Sequence, residues 1–307
     1  MENIIAPIER KKIMEELTDD KFVRNSNFGG NRIFVCDAHN APNTMQEIGR
    51  LRELSFREAG GGTGKAVDID EADLWERPYQ QLIVWNDELQ EIIGGYRYID
   101  CSKNIVFKDG QPELSTAEIF RFSQKFIDEY MPCTIELGRS FVQPKFQSRT
   151  NFRFAIYALD NLWDGLGAIF RQNEDHAKYF FGKVTMYTTY NTEARDMILT
   201  FLDIYFRDNE RLVMPKESIA FEYKRNMFAG DDFKADYKIL NQTVRSLGEN
   251  IPPLVNAYMN LSPTMKVFGT AINPFFGGVE ETGILVNVND IFPEKRERHI
   301  DTYQTIC

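Results

Sequence analysis

Residues 134–144 read TIELGRSFVQP. Their β-branched and apolar members predict a strand, yet Glu136 and Arg139 sit inside it. A charge in an apolar strand is costly to bury unless it is paired. Strand alternation sends side chains three positions apart to opposite faces. Gly138, between the two charges, could host a bulge that turns both toward one cleft. Two readings stay open: an ion pair on an edge strand, or a carboxylate and a guanidinium lining a site.

Upstream, GGYRYI places Arg97 in a second strand, with Gly94 and Gly95 lightening the backbone beside it. Before that strand, TMQEIGRLRELSFREA has helical spacing at Met45, Ile48, Leu51 and Leu54. Arg52 and Phe56, four apart, share a face of this helix. Gly60 to Gly64 stop it. GGGTGK looks like a phosphate cradle, but Ala59 stands where a P-loop needs its first glycine. Ala66 stands where that loop needs a hydroxyl, and the run follows a helix rather than a strand. A flexible loop is the better reading. It carries Asp68, Asp70, Glu71 and Asp73. These acids lack the rest of an EF-hand, including its closing glutamate. Left to themselves they read as a solvated acidic turn.

The remaining pattern is mixed α/β. Residues 1–44 form an N-terminal segment, with a charged helical stretch from Pro7 to Leu17 and then an irregular run. QQLIVWN and EIIGGYRYID read as a hairpin of strands. Ser115 and Glu118 have capping-box spacing, which predicts a helix over 116–130. The ELGRS strand, a long apolar helix over 153–173, a strand over 179–190 and a helix opened by Thr192 follow. PPLVNAYMNLS reads as a short helix, and KVFGTAI and GILVNVND as strands.

Composition narrows the function classes. The 307 residues are 43% hydrophobic and 27% charged, with a net charge of -10. That charge argues against nucleic acid as the main partner. No apolar run reaches the ~20 residues of a membrane helix, and the N-terminus lacks a signal layout. Cys36, Cys101, Cys133 and Cys307 form no CxxC pair and read as reduced thiols of a cytoplasmic protein. Cys36 and His39 lack a second ligand pair, so no metal site is expected. His176 reads as a surface histidine, and His299 in EKRERH as part of a solvated face.

An LR-x-x-x-F helix, a D-x-x-D loop, a G-x-YR strand and an ELGRS-x-V strand occur in that order. The matching residues are Arg52 and Phe56, Asp70 and Asp73, Tyr96 and Arg97, and Glu136 to Ser140. The set resembles the acyl-carrier-protein-dependent N-acyltransferases of the GNAT superfamily. It looks most like the branch labelled "hemolysin-like", which includes ornithine and glycine N-acyltransferases that make aminolipids. Acyl-homoserine-lactone synthases are more distant, and Trp75 follows the acidic loop where they carry a tryptophan ahead of it. The coenzyme A pyrophosphate loop of ordinary GNAT enzymes is replaced after Val142 by QPKFQSRTNF.

The resemblance implies a GNAT-like, mostly antiparallel twisted sheet flanked by helices, with a splayed central strand pair. It implies an acyltransferase core over 45–206 and a C-terminal extension over 207–307 packed on it. The implied reaction moves a long-chain acyl group, plain or 3-hydroxylated, from acyl carrier protein to the amine of a small amino acid such as ornithine or glycine. The product is an aminolipid or lyso-lipid. No cofactor is permanently bound; the phosphopantetheine arm of the carrier, or acyl-CoA, is the donor. Glu136, Arg139 and Ser140 are the implied catalytic group. Arg52, Phe56, Asp70, Asp73 and Arg97 are the implied substrate-binding group. Backbone amides at Phe141 and Val142 are expected to meet the oxyanion, and the segment with Ser148, Arg149, Asn151 and Phe152 the donor's phosphate. Phenylalanines, among them Phe120, Phe122, Phe126, Phe170, Phe180 and Phe181, supply wall material for the acyl chain, although core packing explains any one of them. Lys145, Arg149, Arg153 and Arg171 offer a basic patch for the acidic carrier. Peripheral contact with the inner membrane is compatible with product release. Short-chain acyl-CoA transfer to a small amine, or a non-catalytic lipid-binding scaffold, are the alternatives.

Overall fold

The computed structural model describes residues 1–103, 105–147 and 152–303, and for 152–156 the backbone alone. In chain order the elements begin with α1 (Arg10–Glu16), β1 (Phe22–Asn25), β2 (Arg32–Cys36), α2 (Pro42–Glu58), β3 (Gln80–Asn86) and β4 (Glu91–Asp100). Next come β5 (Phe107–Lys108), β6 (Gln111–Pro112), β7 (Phe120–Phe122), β8 (Thr134–Val142), α3 (Phe152–Gln172), β9 (Tyr179–Met186) and α4 (Thr192–Phe206). Then follow β10 (Val213–Pro215), α5 (Phe233–Ser246), α6 (Pro253–Met259), β11 (Lys266–Asn273), β12 (Val279–Asn287) and α7 (Pro293–His299).

These elements form two units. The first comprises Met1–Asn104, Pro132–Lys178 and Pro293–Cys307. Its strands are ordered β1-β2-β3-β4-β8, each neighbour antiparallel. β3 and β4 are buried along almost their whole length, so both faces are covered. Leu82 meets α3, where a Cβ on Gly165 would fall 2.6 Å from its Cδ1. The next residue back, Gln81, points to the opposite face, where Arg52 of α2 donates to its amide oxygen. α2 and α3 therefore sandwich the hairpin. α2 starts with Pro42 in its first turn and buries Met45, Ile48 and Leu51. Gly49 is bare for a reason: a Cβ there would lie 2.5 Å from Val67 Cγ2 and 2.7 Å from Ile69 Cγ1. Its missing side chain lets the acidic loop lie across the helix.

The second unit comprises Ile105–Met131 and Tyr179–Phe292. β12 lies between β9 and β11 and is antiparallel to both. Phe122, Phe126 and Phe268 pack around Phe181 with ring centroids 5.5–5.9 Å apart. Of the expected tunnel-wall residues, Phe122, Phe126 and Phe181 thus pack against one another within this unit.

The α/β class holds, and several local expectations do not. The irregular run before residue 44 contains β2. The helix expected over 116–130 is instead a 3-10 turn (Ser115–Glu118), strand β7 and a π turn (Phe126–Tyr130). Phe120 and Phe122 are both buried with Arg121 exposed between them, so period-two burial overrides the capping signal. The cap of α4 is Asn191, whose side chain accepts from the Ala194 amide, rather than Thr192. α5 is a helix the sequence pattern does not predict; Asp232 caps it by accepting from the Lys234 and Ala235 amides. His299 is not solvated: it is buried, with Nδ1 2.8 Å from Asp164 Oδ1. Among the described residues no helix is long and apolar enough to cross a membrane.

Candidate active site

The acidic loop is pinned from its first turn. Gly60, Gly62 and Gly64 have φ of 96°, 92° and 77°, a region that favours glycine. The Glu53 carboxylate accepts from the Thr63 amide at 3.0 Å, the Thr63 hydroxyl at 2.7 Å and the Gly64 amide at 2.7 Å. An internal carboxylate thus occupies amides that a phosphate would need, and the loop is not the soft hinge its glycines suggest. The Asp68 amide then donates to the Gly49 carbonyl at 3.1 Å. Asp70 opens a 3-10 turn over Glu71–Asp73 through a reciprocal capping box with Asp73.

From this anchored loop the aspartates meet arginines from three elements. Arg52 of α2 lies 3.3 Å from Asp73 Oδ2. Arg97 of β4 lies 3.3 Å from the same oxygen and 2.6 Å from Asp70 Oδ2. Arg139 of β8 reaches Asp70 at 3.5 Å and Asp68 at 2.9 Å. Gln81 of β3 completes the array, donating to Asp73 Oδ1 at 2.9 Å. Arg52, Asp68, Asp73 and Arg97 are fully buried, whereas the side chains of Asp70 and Arg139 retain 32% and 14% exposure. The network therefore opens outward only at its Asp70–Arg139 end. Burial pushes the Asp70 carboxyl up, but Arg97 and then Arg139 outweigh it and hold the group well below the carboxylate range. Burial also opposes the charge on Arg97, and Asp73 and Asp70 more than restore it.

The reach of Arg139 depends on a backbone defect. Across β4 and β8, Arg97 faces Gly138 and Gly95 faces Phe141. Two steps on β4 thus oppose three on β8, which is a bulge. Arg139 takes up the extra step at φ 48°, the left-handed region. Gly94 and Gly95 permit the close approach: a Cβ on Gly94 would fall 2.5 Å from the Phe141 carbonyl oxygen. Ser140 is half-buried in the bulge and Phe141 is buried after it. The Val142 carbonyl accepts from the Ser55 hydroxyl of α2 at 3.2 Å.

Glu136 lies on the other side of Gly138. Its carboxylate is buried and accepts a hydrogen bond from the Tyr79 hydroxyl. The Arg97 guanidinium stands 4.8 Å over the Tyr79 ring. Glu136 and Arg139 are therefore not a direct pair. They are linked through Tyr79, Arg97 and Asp70.

The family described as acetyltransferase (GNAT) domain matches residues 51–156, the stretch holding the second half of α2, the acidic loop, β3, β4 and the bulged β8. Two bacterial proteins resemble nearly the whole chain. A glycine N(alpha)-acyltransferase of Phocaeicola vulgatus is 54% identical over 307 residues, 99% of this chain and 94% of its own length. One of the same description from Bacteroides thetaiotaomicron is 54% identical over 308 residues, 99% of this chain and 91% of its own. The chain belongs to the GNAT N-acyltransferase family. No solved structure matches it.

Within this GNAT enzyme, Arg52, Asp70, Asp73, Arg97 and Arg139 come together on one face of the β3–β4–β8 sheet. Phe56 is buried on α2. Ser148, Arg149 and Asn151, with the side chains of Phe152 and Arg153, lie outside the described residues. Lys145 bonds Glu91 at 2.7 Å and Arg171 pairs with Glu174, so both already have carboxylate partners. Cys36 is buried, and His39 Nε2 bonds the Trp75 carbonyl at 2.8 Å. Sequence reasoning misses Tyr79, Gln81 and the part played by Asp68. The cross-strand pairing of Gln81 with Arg97 brings Gln81 to the site, with Tyr79 two positions before it, and the sequence carries no signal for that register.

Proposed function

We propose that this N-acyltransferase moves a long-chain acyl group from a thioester of acyl carrier protein to the α-amine of glycine. The acceptor rests on one observation: both near-full-length relatives are described as glycine N(alpha)-acyltransferases. The chemistry fits the first unit. Acyl transfer to an amine needs a proton acceptor, a meeting point and a home for the oxyanion. A free amino acid is mostly an ammonium at neutral pH, and Glu136 is the proposed proton acceptor. Amides of the bulged strand at Phe141 and Val142 are the proposed oxyanion donors. Arg139, at the open end of the network, is the proposed partner of the acceptor's carboxylate, exchanging it for Asp70. Arg52, Arg97, Asp73 and Phe56 hold that geometry, and Ser140 lies beside the reacting carbonyl. The segment with Ser148, Arg149, Asn151 and Phe152 is the proposed phosphate contact of the donor arm.

A carrier-protein donor is favoured over coenzyme A because QPKFQSRTNF stands where the pyrophosphate loop would be. The hemolysin-like branch, and a product released as an aminolipid by a cytoplasmic enzyme in peripheral membrane contact, belong to the same proposal. The test is lipid mass spectrometry of cells expressing the protein. A new N-acylglycine series, absent with Glu136→Gln, is expected. Identical profiles in both, with only N-acetylated amines accumulating, would overturn the donor, the acceptor and the role of Glu136 together.

A further inference from the structure

The geometry points to Tyr79 as the residue that positions Glu136 for proton transfer. This rests on the reading of Glu136 as the proton acceptor. Tyr79 is fully buried, and a buried phenol keeps its hydroxyl only where it finds a partner. That partner is Glu136 Oε2. The ring is fixed from the other side by the Arg97 guanidinium at 4.8 Å and by Trp75, with ring centroids 5.9 Å apart. Arg97 is itself fixed by Asp70 and Asp73. The ion-pair network thus ends on Glu136 through an aromatic ring, and the carboxylate has one oxygen turned toward Tyr79.

Charged and titratable groups among the described residues face this pair. Tyr79 precedes β3. Arg97 lies on β4, with the Cys101 thiol just beyond that strand. Burial first, and then the Glu136 charge, push that thiol well up. A hydrogen bond donated to a carboxylate favours its charged form. On this reading the phenol favours the charged form of Glu136 and sets the orientation of its carboxylate. It acts through Glu136, to which its hydroxyl donates, so it is a positioning residue.

The test is a pH profile of kcat/KM, with glycine and a hexadecanoyl thioester of acyl carrier protein as substrates. Tyr79→Phe keeps the ring and the Arg97 contact and removes only the donor. The acidic limb is expected to rise by about one pH unit and kcat to fall about tenfold, with KM for glycine little changed. Incorporating 2,3-difluorotyrosine at position 79 makes the phenol a stronger donor and should move the limb down. In a Glu136→Gln background the Tyr79→Phe change should cost nothing further. An unmoved acidic limb in Tyr79→Phe and the fluorinated protein, or a cost that persists undiminished with Glu136→Gln, overturns the proposal while leaving Glu136 in its role. A Glu136→Gln protein with wild-type rates and profile overturns the proton-acceptor reading itself, and the positioning role with it.

Discussion

Gln81 and Arg97 face each other across β3 and β4, and each holds a different oxygen of Asp73. Gln81 donates to Oδ1 at 2.9 Å and Arg97 Nη1 stands 3.3 Å from Oδ2. The end of the acidic loop is thus bolted to the centre of the sheet, with Arg52 closing the same oxygen from α2 at 3.3 Å. Removing one member of a buried ion array costs more than the array contributes, because its partner stays charged and buried.

Arg97→Met should therefore destabilise the protein by about 3–5 kcal/mol, read from the urea midpoint. Arg139→Met should cost less, about 2–3 kcal/mol, because it strands the buried Asp68 but leaves the partly exposed Asp70 with Arg97, while depressing transfer. Equal losses for the two would mean that the network is not graded from inside to outside.

Asp70 contributes to the acid dependence of stability, together with other carboxyls held low such as Glu53, Asp100 and Glu210. Its folded pKa is depressed, with burial opposing and Arg97 and Arg139 prevailing. A depressed carboxyl contributes stability that is full above the unfolded pKa of about 3.9 and disappears as pH falls through the folded value. Thermal denaturation should show Tm falling below about pH 4, and Asp70→Asn should flatten that fall. An unchanged acid slope in Asp70→Asn would refute the assignment.

Gly94→Ala tests the bulge. The added methyl would stand 2.5 Å from the Phe141 carbonyl oxygen, a backbone atom that cannot swing aside. A loss of about 1–3 kcal/mol is expected, and transfer activity should fall beyond what the remaining folded fraction explains. Full activity would show that the approach of β4 to the bulge does not matter for the reaction.

Gly167→Ala tests the C-terminal attachment. A Cβ there would fall 2.1 Å from the His299 carbonyl oxygen, so α7 must shift off α3. Limited proteolysis should then cleave near residues 293–303 well before the wild type is cut. Equal resistance would contradict the packing.

Much of the site is legible in the amino-acid sequence. Glycine between two charges in ELGRS signals the bulge, because alternation alone cannot satisfy both side chains. The pairing of Arg97 and Arg139 with the D-x-x-D acids follows from the cost of leaving either sign buried alone. Tyr79 and Gln81 are not legible. A single polar residue in an apolar strand has no periodicity, and its partner depends on a register that only the folded sheet fixes. The segment 116–130 misleads for the opposite reason: local capping chemistry favours a helix, and the burial of Phe120 and Phe122 against Phe181 and its neighbours prevails. His299 reads as solvated among Arg296, Glu297 and Arg298, and only Asp164, far away in sequence, draws it inside.

The most direct measurement incubates purified protein with a hexadecanoyl thioester of acyl carrier protein and an equimolar mixture of amino acids, followed by mass spectrometry of the products. N-hexadecanoylglycine should dominate, its formation should fall by about a hundredfold or more in Glu136→Gln, and acetyl-CoA should not substitute as donor. Products formed equally from every amine, or acetylation of glycine from acetyl-CoA at the same rate, would contradict the account.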